Sequence, residues 1–239
     1  MTEREQPRFL RSLSVSERAP AGGYPFDIPA IAHLGELEFA PITVLVGENG
    51  SGKSTLIEAI AVAGGFNAEG GSRHLQFETM ATHSSLGEYL DPRWRSRPMW
   101  GWFLRAETFY GMASHIAQDG GLGLPDLHGR SHGESFLSLI EHRFGGPGLY
   151  LMDEPESALS FQGQLRLLRY LHDGLRDGAQ FIIATHSPLL MRMPGALLYE
   201  LSDDGIHERT YDALHVVGLW KRFLDAPARL LDVLFSDEE

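Results

Sequence analysis

The sequence predicts an α/β domain in which a mostly parallel sheet is covered by helices on both faces. Three observations predict it. Short apolar runs at Ile42–Val46, Leu149–Met152, Gln180–Ala184 and Leu197–Leu201 are bounded by Gly, Pro or polar residues, as buried parallel strands are. Stretches with apolar residues at helical spacing separate several of these runs. A glycine-rich loop follows the first run directly.

Taken in order, residues 1–23 are polar and contain Gly and Pro, which reads as an irregular lead-in. Ile42–Val46 is a β-branched strand between Pro41 and Gly47. Leu56, Ile57, Ile60 and Ala61 then recur at helical spacing, and the helix is expected to stop near Gly64-Gly65. Residues 66–130 are less regular and rich in Gly, His and Arg, with an apolar run at Met99–Leu104. They read as a small inserted, partly helical subdomain that ends in the Gly-rich stretch 119–130. Helical patterning returns at Glu134–Phe144, ahead of the strand Leu149–Met152. A helix over about Ser160–Arg176 follows, then the strand Gln180–Ala184, a turn at Ser187-Pro188 and a strand at Leu197–Leu201. Residues 206–239 read as a C-terminal helical tail, with amphipathic patterning from Asp212 to Phe235. The whole chain, 1–239, is expected to be one domain.

Composition narrows the classes. Of 239 residues, 43% are hydrophobic and 22% charged, the balance of a globular chain. No cysteine is present, which excludes disulfides, thiolate metal sites and a cysteine nucleophile. The first residues, MTEREQPRFLRS, hold no apolar stretch of signal-peptide type. No apolar run approaches the roughly 20 residues of a membrane helix. A cytoplasmic protein that is not membrane-embedded is expected. A net charge of −12 argues against a broad nucleic-acid face, without excluding a local basic patch.

The chemistry begins at Gly47-Glu48-Asn49-Gly50-Ser51-Gly52-Lys53-Ser54, a full match to G-x-x-x-x-G-K-[ST], the Walker A pattern. Glycines let successive backbone N–H groups turn inward as an anion nest, and a helix starting near Lys53 adds its positive end. Lys53 is placed to reach the β- and γ-phosphates, and Ser54 to ligate Mg²⁺. Gly47 through Ser54, together with Thr55, are the candidate nucleotide contacts. Downstream, Leu149–Met152 runs into Asp153 and Glu154. An apolar strand ending in two carboxylates fits Walker B: Asp153 would hold Mg²⁺ through water, and Glu154 would orient or deprotonate the attacking water.

From here the residues resemble the ABC ATPase superfamily, including its SMC/RecF-like branch of compact stand-alone ATPases of the AAA family. Ser131-His132-Gly133-Glu134-Ser135 resembles the LSGGQ signature, with His132 for a glycine, Glu134 for glutamine and Arg130 for leucine. The resemblance implies that Ser131 and Gly133 cap the γ-phosphate held by the opposite protomer. Glu156-Ser157-Ala158-Leu159-Ser160 resembles the D-loop, with Ser160 in place of Asp. Ala184-Thr185-His186-Ser187-Pro188 resembles the switch-histidine loop, where His186 would contact the γ-phosphate. Glu107 or Gln76 stands for the Q-loop glutamine, and Glu107 is preferred. Tyr24 and Phe26 are candidates to stack on adenine, with core packing as the equal alternative.

The resemblance implies a P-loop NTPase of ABC type that binds ATP and Mg²⁺. Glu154, His186 and Lys53 would be catalytic, Ser54 and Asp153 would be the metal residues, and ATP would gate a homodimer. Two roles follow: a soluble ATPase in DNA maintenance or defence, and the ATP-binding subunit of an ABC transporter. Arg93–Trp102 interleaves Arg and Trp, a pattern that can track nucleic acid. Packing or a protein contact is the preferred reading there. DNA or a partner protein therefore remains an open expectation.

Overall fold

The computed structural model describes residues 8–72, 84–109 and 132–236. Its elements are β1 (Leu10–Val15), α1 (Pro29–Ala32), β2 (Leu37–Glu38), β3 (Ile42–Gly47), α2 (Lys53–Ala63), β4 (Gly71–Ser72), β5 (Leu90–Trp94) and β6 (Gly101–Arg105). There follow α3 (His132–Arg143), β7 (Leu149–Asp153), α4 (Phe161–Arg176), β8 (Gln180–Ala184), α5 (Pro188–Met191), β9 (Leu197–Ser202), β10 (Gly205–Arg209), α6 (His215–Asp225) and α7 (Pro227–Ser236).

The main sheet runs β10-β9-β3-β8-β7-β6-β4. Its inner strands β9, β3, β8, β7 and β6 are parallel, and β10 and β4 add antiparallel edges. Every residue of β7 and β8 is buried, as expected when helices cover both faces. Alternate residues feed two cores. Val44, Val46, Tyr150 and Met152 join the side with α3, α4 and α5. Leu45, Leu149 and Leu151 join the side with α1 and α2. This is the α/β architecture the sequence predicts.

Three parts differ from the sequence-based expectation. The lead-in is not irregular throughout, because Leu10–Val15 is a strand of a second, antiparallel sheet ordered β2-β1-β5. Its Leu10 and Leu13 are fully buried against α2. The regular elements in the described part of 66–130 are mostly strands: β4 and β6 belong to the main sheet and β5 to the small one. Its helical content among the described residues is a single 3-10 turn, Ser85–Tyr89, plus the start of a turn at 106–109. Trp102, Phe103 and Leu104 are buried on both faces, so this run packs as a sheet strand. The C-terminal tail opens with strand β10, paired to β9 from Gly205↔Ser202 to Arg209↔Leu198, before its helices begin.

Gln180, at the start of β8, ties the two sheets together. Its Oε1 accepts from Phe9 N and Leu10 N at 3.1 and 2.9 Å, and its Nε2 donates to Leu10 O and Ala40 O at 2.8 and 3.2 Å.

Candidate nucleotide site

The carboxyl ends of β3, β8 and β7 lie side by side, with Leu45 against Ala184 and Ala184 against Asp153. Each strand delivers one group to the same place, the usual site position in open α/β sheets.

β3 delivers the loop Gly47–Ser54. Gly50 and Gly52 have φ of 81° and 94°, the left-handed region that glycine enters without cost. A Cβ on Gly47 would stand 2.5 Å from Ser51 Oγ and 2.6 Å from Leu201 O, so the turn closes only on glycine. Lys53 folds over the loop, its Nζ donating to Gly47 O and Glu48 O at 2.9 and 2.8 Å. Burial holds its ammonium below the ordinary lysine range, against the raising pull of Glu154, Asp153 and Glu156. A buried cation bound mainly by carbonyls is available to an anion. Ser51 Oγ is buried and makes no hydrogen bond among the described residues. Thr55 lies on α2, one residue past Ser54.

β7 delivers Asp153 and Glu154. Ser54 Oγ donates to Asp153 Oδ1 at 3.1 Å. Burial lifts the Asp153 carboxyl to about 6, opposed by Arg105 and the Ser54 hydrogen bond. Glu154 has φ 48° and ψ 50°, a left-handed conformation that glutamate does not favour. Its N–H donates to Ala184 O at 2.9 Å. β8 leads into His186, whose Nε2 stands 3.4 Å from Glu154 Oε1. The His186 backbone N–H donates to Glu156 Oε1 at 2.5 Å. Ser187 caps α5, and its hydroxyl donates to Gln164 Oε1 at 2.6 Å.

The structure thus brings together Lys53, Ser54, Asp153, Glu154 and His186. A paired hydroxyl and carboxylate are hard oxygen donors of the kind Mg²⁺ takes. No group of three or more His, Asp or Glu able to hold a metal occurs among the described residues. Gly133 stands at the start of α3, where a Cβ would come within 3.0 Å of Ala158 O. The α3 start therefore packs on the segment after Glu154. Ser131 and Gln76 lie outside the described residues. Glu107, just past the end of β6, raises the Asp153 carboxyl electrostatically and so stands near it. Phe26 is buried edge-to-face on Tyr89 at 5.4 Å, which makes it core rather than a free stacking platform. Tyr24 is 69% exposed.

Sequence reasoning missed Arg105. Its Nη1 donates to Glu58 Oε2 at 2.7 Å, and its Nε lies 3.6 Å from Asp153 Oδ2. An arginine ending an apolar strand beside an aspartate-terminated strand was the available signal. The Arg/Trp segment is packed only in part, because Arg93, Arg95, Arg97, Met99 and Trp100 are exposed. Trp102 is core, Arg143 lies over its ring at 5.7 Å, Arg97 lies over Trp94 at 5.5 Å, and Arg93 pairs with Glu36.

Comparison with known proteins follows the same lines. A family described as "AAA domain" matches residues 30–86, and one described as "AAA domain, putative AbiEii toxin, Type IV TA system" matches residues 134–192. The cytochrome c biogenesis ATP-binding export protein CcmA of Rhodopseudomonas palustris strain HaA2 is 29% identical over 160 residues, covering 61% of this chain and 78% of that protein. Its counterpart in strain BisB18 is 34% identical over 157 residues, with the same coverage. The chain belongs to the ABC-type P-loop ATPases. It is an ATP-hydrolysing enzyme. Among solved structures, the SMC head domain from Thermotoga maritima aligns with a TM-score of 0.49 at 20% identity, over 84% of this chain and 99% of that one. No helix of the described residues is long and apolar enough to cross a membrane.

Proposed function

We propose that this ATPase works with Mg²⁺ as an ATP-gated homodimer, and that the cycle serves DNA maintenance or defence. The observation that carries the catalytic part is the meeting of Ser54 with Asp153, and of Glu154 with His186, at the ends of adjacent strands. Backbone N–H groups of Gly50–Ser54 and the Lys53 ammonium bind the phosphates. Ser54 and Asp153 would hold Mg²⁺, which would supply neutralisation of phosphate charge. Glu154 accepts a proton from the attacking water, and His186, within reach of Glu154, positions the γ-phosphate. Ser131 and Gly133 of a second copy close the open side, arranged head to tail about a two-fold axis. The defence role is supported by the resemblance of residues 134–192 to a family that includes a toxin of a type IV toxin–antitoxin system. The export role named for the curated relatives favours a second reading, an ATP-binding subunit docked on a transporter.

Glu154→Gln tests the core of this. General-base catalysis is worth about 10²–10⁴-fold. The variant is expected to bind ATP normally, lose turnover on that scale and dimerise on ATP·Mg²⁺ in light scattering. A loss below about tenfold would assign the base elsewhere. DNA stimulation of wild-type turnover supports the first role. Its absence, with capture on a membrane protein, supports the second.

A further inference from the structure

The imidazole of His186 is not fixed by bonds of its own. Its Nε2 is buried without a hydrogen bond among the described residues, 3.4 Å from Glu154 Oε1. The direction of the ring is therefore set by the backbone that carries it. The neighbours of His186 are each held: the Thr185 N–H donates to Leu45 O at 3.1 Å, and the Ser187 N–H donates to Thr185 Oγ1 at 3.0 Å. Ser187 Oγ also donates to Gln164 Oε1 at 2.6 Å, and Gln164 Nε2 donates to Leu159 O at 3.4 Å. The N–H of His186 itself goes to a side chain, Glu156 Oε1, at 2.5 Å.

The Glu156 carboxylate has no duty in its own turn. The 3-10 turn Pro155–Ala158 closes through backbone alone, Ser157 N–H to Glu154 O at 3.1 Å and Leu159 N–H to Glu156 O at 2.9 Å. Its presence there is costly, because Oε2 is buried with no donor among the described residues. What the carboxylate supplies is a bond to an ionised acceptor, shorter and about twice as strong as a neutral one. Glu154 and Glu156 thus grip one histidine at both ends from a single turn, the first beside its ring and the second on its backbone.

We propose that Glu156 is the positioning residue of His186: its carboxylate holds the loop so that the imidazole points at the γ-phosphate of bound ATP and stays in register with Glu154. The proposal rests on the role given to His186 above. Glu156 acts through His186 and touches neither the nucleotide nor the attacking water. Its charge pulls on the Lys53 ammonium, so removing it leaves Lys53 freer for phosphate, and ATP affinity should hold or rise.

Glu156→Ala should lower kcat about 10–100-fold, the scale on which small misplacements near a reacting centre act, with ATP affinity by calorimetry held or improved. Glu156→Gln keeps an oxygen for the same N–H and should recover most of the lost turnover. In a His186→Ala background, Glu156→Ala should cost little more, because residues that act as a unit are non-additive. In the ligand-free protein, NMR should show the His186 amide proton moving upfield and exchanging faster in Glu156→Ala, with Glu156→Gln restoring it in part. Losses that multiply in the double variant, weakened ATP binding, or an unchanged His186 amide would each overturn the proposal. So would parental turnover in Glu156→Ala while His186→Ala is slow, an outcome that leaves the role of His186 standing. Parental turnover in His186→Ala refutes that role and the proposal with it.

Discussion

The two ends of strand β8 are built on opposite terms. At its amino end, Gln180 is fully buried, and its side-chain amide makes four hydrogen bonds to backbone groups of Phe9, Leu10 and Ala40. At its carboxyl end, polar groups are equally sheltered but under-satisfied. Ser51 Oγ, Arg105 Nε, Glu156 Oε2 and His186 Nε2 are buried without a hydrogen bond among the described residues. There too Asp153 resists ionisation, Lys53 resists protonation and Glu154 sits in a left-handed conformation. Buried polar groups are normally paired. The Gln180 amide obeys that rule, whereas the carboxyl end departs from it where a phosphate-and-metal ligand would supply the missing partners. The difference teaches that stability and function are divided along a single strand.

Breaking the satisfied end should cost the most. Gln180→Leu keeps the volume but strands the N–H groups of Phe9 and Leu10 and the carbonyls of Leu10 and Ala40. At about 1–3 kcal/mol for each buried orphan group, a loss of about 3 kcal/mol or more is expected from denaturant midpoints. A change under about 1 kcal/mol would mean that the small sheet does not depend on this link.

The same manipulation at the other end should have the opposite sign. Burial raises the folded-state carboxyl of Asp153 to about 6, well above the ordinary aspartate range, so the native state binds its proton more tightly than the unfolded chain does. Its ionised form therefore lowers stability above about pH 6, and the penalty fades as pH falls from about 6 to 4. Asp153→Asn removes that charge. Without nucleotide or metal, it should stabilise the protein by about 2 kcal/mol at pH 8, with a smaller gain towards pH 4. Destabilisation at pH 8 would show instead that the Arg105 and Ser54 contacts outweigh burial.

The contrast also explains what the sequence could reveal. The phosphate loop, Asp153-Glu154 and His186 were legible because each is a local pattern of residue types tied to a strand end, and the structure gathers them at one point. The central strands were legible as continuous apolar runs. Strand β1 was not: Leu10–Val15 alternates weakly, and its partner β5 lies some 80 residues downstream with Pro92 inside it. Pairing at that separation leaves no periodic trace. Arg105 was missed for a related reason. Its importance comes from Glu58 on α2 and Asp153 on β7, neither near it in sequence. The amphipathic pattern of the two C-terminal helices was legible, but not that their apolar residues would be exposed.

The smallest effect separates strain from charge at one residue. Glu154 is the only non-glycine residue with positive φ among the described residues. Two anchors hold it there: its N–H donates to Ala184 O, and its carbonyl accepts from Ser157 N and Ser157 Oγ. A left-handed conformation costs an L-residue about 1–2 kcal/mol, and glycine escapes that cost while losing more freedom on folding. The net gain from Glu154→Gly in the ligand-free protein should be about 0.5–1 kcal/mol. Glu154→Ala removes the same carboxylate but keeps a Cβ, so it should give none of that gain. Both should lose turnover alike, because neither can accept the proton. Chemical denaturation of the two variants side by side decides the matter. Equal midpoints would show that the turn at Glu154 stores no strain, and that the unsatisfied end of β8 differs from the satisfied one in hydrogen bonding and charge alone.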